Sequence, residues 1–221
     1  EQQARGPARR VVAAGCLVSH SGAGLFEALG GLDAVVGVND RDAIVEAVLG
    51  EGRFVAARPY AHEPACSDAG RFRATPRHTA YLRIAEGCSH GCTFCTIPAI
   101  RGPFRSKAPE QVLAEAAELI ADGARELNVI AQDTTSYGAD VPGWDLARLL
   151  RALDALDGAQ WIRLLYAYPR GIDERLTDAL ADCPHVVPYV DLPLQHVSGA
   201  VLRRRGRRTS RAETEGGLGR L

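Results

Sequence analysis

The sequence predicts an α/β protein: a parallel (β/α) barrel or its open, partial relative, preceded by a small α/β unit. Three observations carry this. Short apolar runs alternate with stretches whose apolar residues recur at helical spacing, the order that gives parallel strands joined by helices. Polar residues follow the apolar runs, at the carboxyl edge of the strands, where parallel α/β folds bind ligands. The run over residues 80–85 leads directly into three closely spaced cysteines, Cys88, Cys92 and Cys95.

Taken in order, residues 11–14 read as a short buried strand ending at Gly15 and Cys16. Residues 22–29 read as a helix and 34–38 as a second strand. Asp40 or Asp42 would cap a helix running to about Leu49, with Gly50 just past its end. Residues 1–52 therefore form the small unit. Residues 53–78 hold Pro59, Pro64 and Pro76 without sustained periodicity and read as a linker. Cys66, inside it, has no partner motif and is taken as incidental.

The main domain spans residues 79–211. After the strand at 80–85, Pro109 opens a helix to about Ala121, with Val112, Leu113, Ala116, Leu119 and Ile120 on one face. Asp122 and Gly123 end it. Residues 127–131 form the next strand, tipped by Gln132 and Asp133. A loop through Tyr137, Gly138, Pro142 and Gly143 leads to a helix over 146–156. Residues 161–166 form the third strand, 173–180 a helix, and 186–192 the fourth strand, tipped by Gln195 and His196. Arg203, Arg204, Arg205, Arg207 and Arg208 form a dense basic run. Contact with RNA or an acidic surface is one reading, and a solvated helix end is the plainer one. Residues 212–221 are glycine-rich, lack a clean helical period and read as a disordered tail.

The cysteines are spaced C-x3-C-x2-C. Thiolates are the usual ligands of iron–sulfur clusters. Three of them can hold a 4Fe–4S cubane and leave one iron open to a reactant. Gly87 and Gly91 let the loop curl around such a bulky group. A zinc knuckle would need a fourth ligand and usually a second C-x2-C unit, which this chain lacks.

With Phe94 in the aromatic slot, C-x3-C-x-aromatic-C resembles the signature of the radical S-adenosylmethionine (SAM) enzymes. Glu86-Gly87-Cys88, Thr93 through Pro98 and Arg101-Gly102 resemble its methylthiotransferase branch. Gln132 through Gly138 and Leu192 through His196 are similar to the ribosomal-protein type. The transfer-RNA type typically has Gln-Asn-Val for Gln-Asp-Thr, and Ser-His-Pro near Tyr166 through Pro169. The resemblance runs from about Val11 to Arg211. It implies a longer parent protein that includes the first half of an N-terminal methylthiotransferase domain, about two more β-α units and a small C-terminal β domain. This chain alone is then expected to be inactive and weakly stable.

The resemblance further implies a transferase with two 4Fe–4S clusters. One, on Cys88, Cys92 and Cys95, binds SAM and cleaves it to a radical that takes hydrogen from an aspartate β-carbon of ribosomal protein twelve. The auxiliary cluster, with Cys16 as the last of its three cysteines, serves sulfur insertion, and a second SAM supplies the methyl group. Phe94, Gln132, Asp133, Gln195 and His196 are carried over as SAM contacts. Strand-end capping is the equal alternative for the four tip residues. Tyr137, Tyr166 and Tyr168 line the substrate mouth or pack in the core. Cys183 is structural. The partner is the small-subunit protein, with ribosomal RNA as a further contact of the basic run. The electron donor and sulfur source are not named by these motifs. The competing readings are the transfer-RNA enzyme and a non-catalytic iron–sulfur or zinc binding module.

Composition sets the outer limits. The 221 residues carry 26 Lys and Arg against 27 Asp and Glu, a net charge of -1 that exerts no global pull on nucleic acid or anionic membrane. Six cysteines, three of them clustered, are too few for a disulfide scaffold and suit a reducing, cytoplasmic setting. No apolar run approaches the roughly 18 residues of a membrane span.

Overall fold

The structure is a computed structural model that describes residues 9–60, 65 and 67–221. Cys66 lies outside the described residues. The chain divides into two compact units, Glu1–His62 with Thr96–Gly102, and Glu63–Cys95 with Pro103–Leu221.

The first unit is a parallel sheet ordered β1 (Val12–Ala14), β2 (Ala34–Val36), β3 (Phe54–Ala56). β3 lies in the stretch expected to be linker. Phe54-Val55-Ala56 is too short to announce itself by alternation, and it becomes a strand because β2 offers it a register, Ala34 opposite Phe54. The helices are α1 (Cys16–Ser21), α2 (Leu25–Ala28), α3 (Ile44–Leu49) and α4 (Ile97–Arg101). The helix expected over 22–29 therefore begins earlier and is broken. Gly15, at φ +120°, turns the chain from β1 straight into α1, and Gly22, at φ +55°, ends α1 before a 3-10 turn leads to α2. Neither Asp40 nor Asp42 caps α3, whose N-cap is Ala43. Asp40 is instead buried, accepts a hydrogen bond from the Arg58 amide at 2.7 Å and pairs with its guanidinium. Gly50 follows α3 as expected. The central strand is covered on both faces, as parallel sheets are. Val35 packs with Val18, Leu25 and Phe26, and Ala34 and Val36 pack with Ala47.

The second unit holds an open, all-parallel sheet ordered β4 (Thr79–Arg83), β7 (Glu126–Ile130), β8 (Trp161–Leu164), β9 (Val186–Val190). A two-stranded antiparallel ladder, β5 (Ala85–Glu86) with β6 (Arg105–Ser106), stands beside it. The β-α alternation expected from the sequence is therefore present. Strand periodicity gives the sheet two unlike faces. Ala80, Leu82, Leu127, Val129, Ile162 and Leu164 are at most 1% exposed and share one core. Helices α5 (Pro109–Ala121), α6 (Leu146–Asp154) and α7 (Glu174–Asp182) supply Val112, Ala116, Leu149, Leu150, Leu153 and Leu176 to it. The alternate positions Tyr81, Asn128 and Arg163 lie side by side on the other face. Asp145 and Asp173 cap α6 and α7 by accepting from the Arg148 and Leu176 amides.

The second half of the expected linker is also ordered. Ser67 Oγ and the Asp68 amide donate to Glu115, and the Gly70 amide donates to Glu118 on the same helix. Lys107 is fully buried, with Nζ 2.8 Å from Asp68 and 2.5 Å from Glu115. Asp68 also pairs with Arg83 at 2.8 Å. Beyond β9 come α8 (Gly199–Arg204) and α9 (Arg211–Leu218). The second replaces the expected disordered tail. Its start is a capping box in which Ser210 and Glu213 each bond the other's backbone amide. This local cap outweighs the weak helix preference of Gly216 and Gly217. No helix among the described residues is long and apolar enough to cross a membrane.

Candidate functional site

The cysteine loop leaves the carboxyl end of β4 and is clasped at its base by β5 and β6. Gly87 enters it at φ +80°, which a side chain would resist, and its amide donates to Gln132 Oε1 at 2.7 Å. Gln132, carried over as a SAM contact, thus ties the loop to the tip of β7. The Cys95 amide donates to the Cys92 carbonyl at 3.1 Å, which turns the loop back on itself.

Asp133, the second tip residue, is 2% exposed and holds the middle of the loop. Its Oδ2 lies 2.7 Å from His90 Nε2, and it accepts further bonds from Ser136 Oγ at 2.5 Å and from the Thr135 hydroxyl and amide at 2.6 and 3.0 Å. Burial alone would raise its pKa. Hydrogen bonds from His90, Ser136 and Thr135 outweigh that and hold the carboxyl below its ordinary range. The His90 ring stacks on Tyr168 at 3.9 Å between centroids.

The basic run divides: Arg203 and Arg204 are exposed in the last turn of α8, the expected solvated helix end, whereas Arg205 through Arg207 return to the cysteine loop. The Thr93 amide donates to the Arg205 carbonyl at 3.0 Å, and Gly206 packs so closely on the Gly91 carbonyl that a Cβ would collide with it. The Arg205 guanidinium lies 4.3 Å over the half-exposed Phe94 ring and donates to Gln195 Oε1 at 3.0 Å. Arg207 lies 4.1 Å over the Tyr168 ring, donates to the Pro193 carbonyl at 2.9 Å and comes within 3.8 Å of Cys92 Sγ. Density marked the basic run in the sequence, but nothing in its own spacing pointed to the cysteine loop. Its position just after the tip of the fourth strand was the signal available, because strand tips of a parallel sheet share one edge.

A cavity of about 210 Å³ opens beside the loop, lined by Cys88, His90, Phe104, Asp133, Ser136 and Tyr168 among others. Cys88 is buried, and burial pushes its thiol pKa up. Cys92 and Cys95 are partly exposed, and all three are unbridged. The donor set fits a cluster. Tyr168 Oη, Arg205 Nε and Arg207 Nε are buried without a hydrogen-bond partner among the described residues, a state that buried polar atoms rarely keep unless a ligand meets them. Among the described residues no three Cys, His, Asp or Glu side chains converge on one metal ion. A cubane places each thiolate on a different iron and does not need such convergence.

The other expected residues divide. Gln195 stands at the strand edge with φ +67°, and Tyr166 at φ +57°, the two non-glycine residues in left-handed backbone among those described. Such strain concentrates at functional edges. His196 is exposed, and its Nδ1 accepts from the Ser198 amide at 2.8 Å, a turn-forming bond. Tyr137 is buried and donates to the Lys107 carbonyl at 3.0 Å, and Cys183 is buried in the core. Cys16 belongs to the first unit. It is exposed at the start of α1, 3.2 Å from Arg101 Nη2, rather than buried at a strand end. It is the one cysteine of that unit, and a single thiol does not complete a cluster site.

Comparison with known proteins agrees with this geometry. Residues 82–221 match the model of the radical SAM superfamily. The ribosomal protein uS12 methylthiotransferase RimO of Geotalea uraniireducens is 43% identical over 217 residues, which are 96% of this chain and 48% of the relative. The protein of the same name from Thermoanaerobacter is 42% identical over 214 residues, 96% of this chain and 49% of the relative. The chain thus spans about half the length of the curated relatives it matches. Among solved structures, the cobalamin-dependent SAM radical enzyme OxsB aligns with a TM-score of 0.61 and 14% identity, over 94% of this chain and 34% of that one. The radical SAM methyltransferase TsrM of Kitasatospora setae aligns at 0.54 and 19% identity, over 70% of this chain and 32% of that one. At such identities these two speak for the fold alone. A superfamily match over more than half of the chain, centred on a three-cysteine loop at the carboxyl edge of a parallel sheet, establishes that the chain belongs to the radical SAM superfamily.

Proposed function

We propose that this chain is the core of a methylthiotransferase that β-methylthiolates an aspartate of ribosomal protein uS12, in the cytoplasm. The observation that carries the reading is the cysteine loop held at the tip of a parallel sheet, in a chain 43% identical to a uS12 methylthiotransferase over nearly all its length. Cys88, Cys92 and Cys95 would hold a 4Fe–4S cluster, which supplies one-electron reductive chemistry on SAM. Cys16 would contribute one thiolate to an auxiliary cluster for sulfur insertion.

The chain's own residues do the positioning. Gln132 fixes where the loop begins, through the Gly87 amide. Asp133 fixes the His90 ring, and the ring in turn packs the wall on which Tyr168 lies. Tyr168 and Phe104 give the cavity an apolar wall that keeps water from its floor, and the unpartnered Tyr168 hydroxyl offers a donor to whatever binds there. Phe94, half-exposed beneath Arg205, presents a flat apolar face suited to a nucleoside. Gln195 is carried as a support for Arg205. Within the basic run, Arg205 and Arg207 fold against the loop and support the site more than they support contact with ribosomal RNA.

The test is an anaerobic assay on protein extended to the length of the curated relatives, with SAM and a strong reductant. Purified uS12 and isopentenyl-adenosine transfer RNA are offered side by side. Deoxyadenosine release with a methylthio mass gain on uS12 alone is the expected result. Modification of the RNA alone would replace this reading with the transfer-RNA one. Zinc retention with no SAM cleavage would leave a binding module.

A further inference from the structure

The side chains of His90, Tyr168 and Arg207 form a continuous stack beside the cysteine loop. His90 and Tyr168 are nearly parallel, 13° apart with centroids at 3.9 Å, and the Arg207 guanidinium lies 4.1 Å from the same Tyr168 ring. Two groups this close to one centroid must occupy opposite faces. One end of the stack is tied to Asp133, 2.7 Å from His90. At the other end the guanidinium plane is set by Tyr168 and by the Pro193 carbonyl, which leaves Nη1 aimed at Cys92 Sγ from 3.8 Å.

We infer that Arg207 is a positioning residue for the cluster: stacked on Tyr168, it donates a hydrogen bond to the Cys92 sulfur and raises the reduction potential of the centre held by Cys88, Cys92 and Cys95. The inference rests on the iron–sulfur reading above. Its physics is general. Reduction adds one electron and one negative charge, and a fixed cation and an N–H at a ligating sulfur stabilise the reduced form more than the oxidised form. Arginine suits the place because its planar fork stacks on an aromatic ring while two of its nitrogens reach fixed acceptors, and lysine cannot do both. The stack gives the aim. Without the Tyr168 ring the guanidinium has no surface to lie on.

The experiment is a redox titration, followed by electron paramagnetic resonance, of the anaerobically reconstituted protein carrying Cys16→Ala so that one cluster contributes. Arg207→Gln is expected to move the potential to more negative values by a tenfold change in the oxidised-to-reduced ratio, about 59 mV for one electron. Arg207→Lys moves it less. Tyr168→Leu moves it in the same direction as Arg207→Gln, whereas Tyr168→Phe, which keeps the ring, does not. Arg204→Gln, an exposed neighbour in the run, leaves it in place. Equal potentials in Arg207→Gln and the parent, with the cluster intact, overturn the inference and leave the iron–sulfur reading standing. If Arg207→Gln fails to load iron, the pair Tyr168→Leu and Tyr168→Phe decides, and equal potentials in those two overturn it. A parent protein that takes up no iron and sulfide overturns the iron–sulfur reading, and this inference with it.

Discussion

The two sheets use the same parallel pairing and end in different states of completion. In the four-stranded sheet one face is sealed, with Leu82, Leu127, Val129, Ile162 and Leu164 at 0% exposure beneath three helices. The three-stranded sheet seals its central strand with two small clusters only. Around it Val45, Val48, Leu49 and Val55 remain 50–78% exposed. A unit that buries so little apolar surface is marginal, and an apolar helix face left in water is one that a longer protein normally covers. The contrast extends to the cysteines. Three are carried on a loop pinned from the tips of β7 and β8 and from the segment after α8, whereas Cys16 rides on the first residue of a six-residue helix. The lesson is that a reactive loop needs a finished core beneath it.

The sharpest way to break this comparison is to remove thiols. Replacing Cys88, Cys92 or Cys95 with Ala should abolish reconstituted iron and sulfide in the larger unit, whereas Cys16→Ala should leave that cluster intact. Elemental analysis of the four variants checks both halves. Next in size is the core. Leu164→Ala should destabilise the larger unit by about 2–5 kcal/mol in urea unfolding. Leu49→Ser, at an exposed site of the smaller unit, should stay within about 0.5 kcal/mol.

Acid offers a third lever, acting on the larger unit through Asp68. Burial would raise the Asp68 pKa, but hydrogen bonds and charge from Arg83 and Lys107 lower it from 3.8 to about 2. The native state therefore binds this proton less readily than the unfolded chain does. The stability it contributes is complete above about pH 4 and is lost as the pH falls through 2. Melting of the parent and of Asp68→Asn across that range should show a gap at neutral pH that closes in acid. A constant gap would mean that the network around Lys107 does not depend on this charge. The smallest effect is expected at the C-terminal helix. Ser210→Ala should cost about 1 kcal/mol, seen as faster amide exchange confined to residues 211–218. If exchange there is already complete in the parent, the capped helix is wrong.

Legibility followed the range of the interaction. α5 was readable because Pro109 and the apolar positions of its face lie within 13 residues, and the structure reproduces both of its ends. β3 was not, because Phe54-Val55-Ala56 becomes a strand through Ala34 and its neighbours, 20 residues away. The helix start was misplaced by six residues because one glycine, Gly15, turns the strand directly into a helix, whereas Gly22 looked like a beginning and is a break. In the site, the cysteine spacing was plain. Gln132 and Asp133 do stand at the strand tip, where Gln132 bonds the Gly87 amide and Asp133 bonds His90, Thr135 and Ser136, contacts that no local pattern announced.

By itself the sequence determined the alternation of strands and helices, the three-thiol loop after the first strand of the larger sheet, and the superfamily that the spacing resembles. All of these are patterns closed within a few turns of chain. Tertiary structure alone decided that Arg207 meets Cys92 across 115 residues, that Asp68 joins Lys107 and Glu115 in a buried network, and that His90 is shared between Asp133 and Tyr168. These contacts arise because the strand tips of a parallel sheet all face one edge, which brings together side chains that no local period connects.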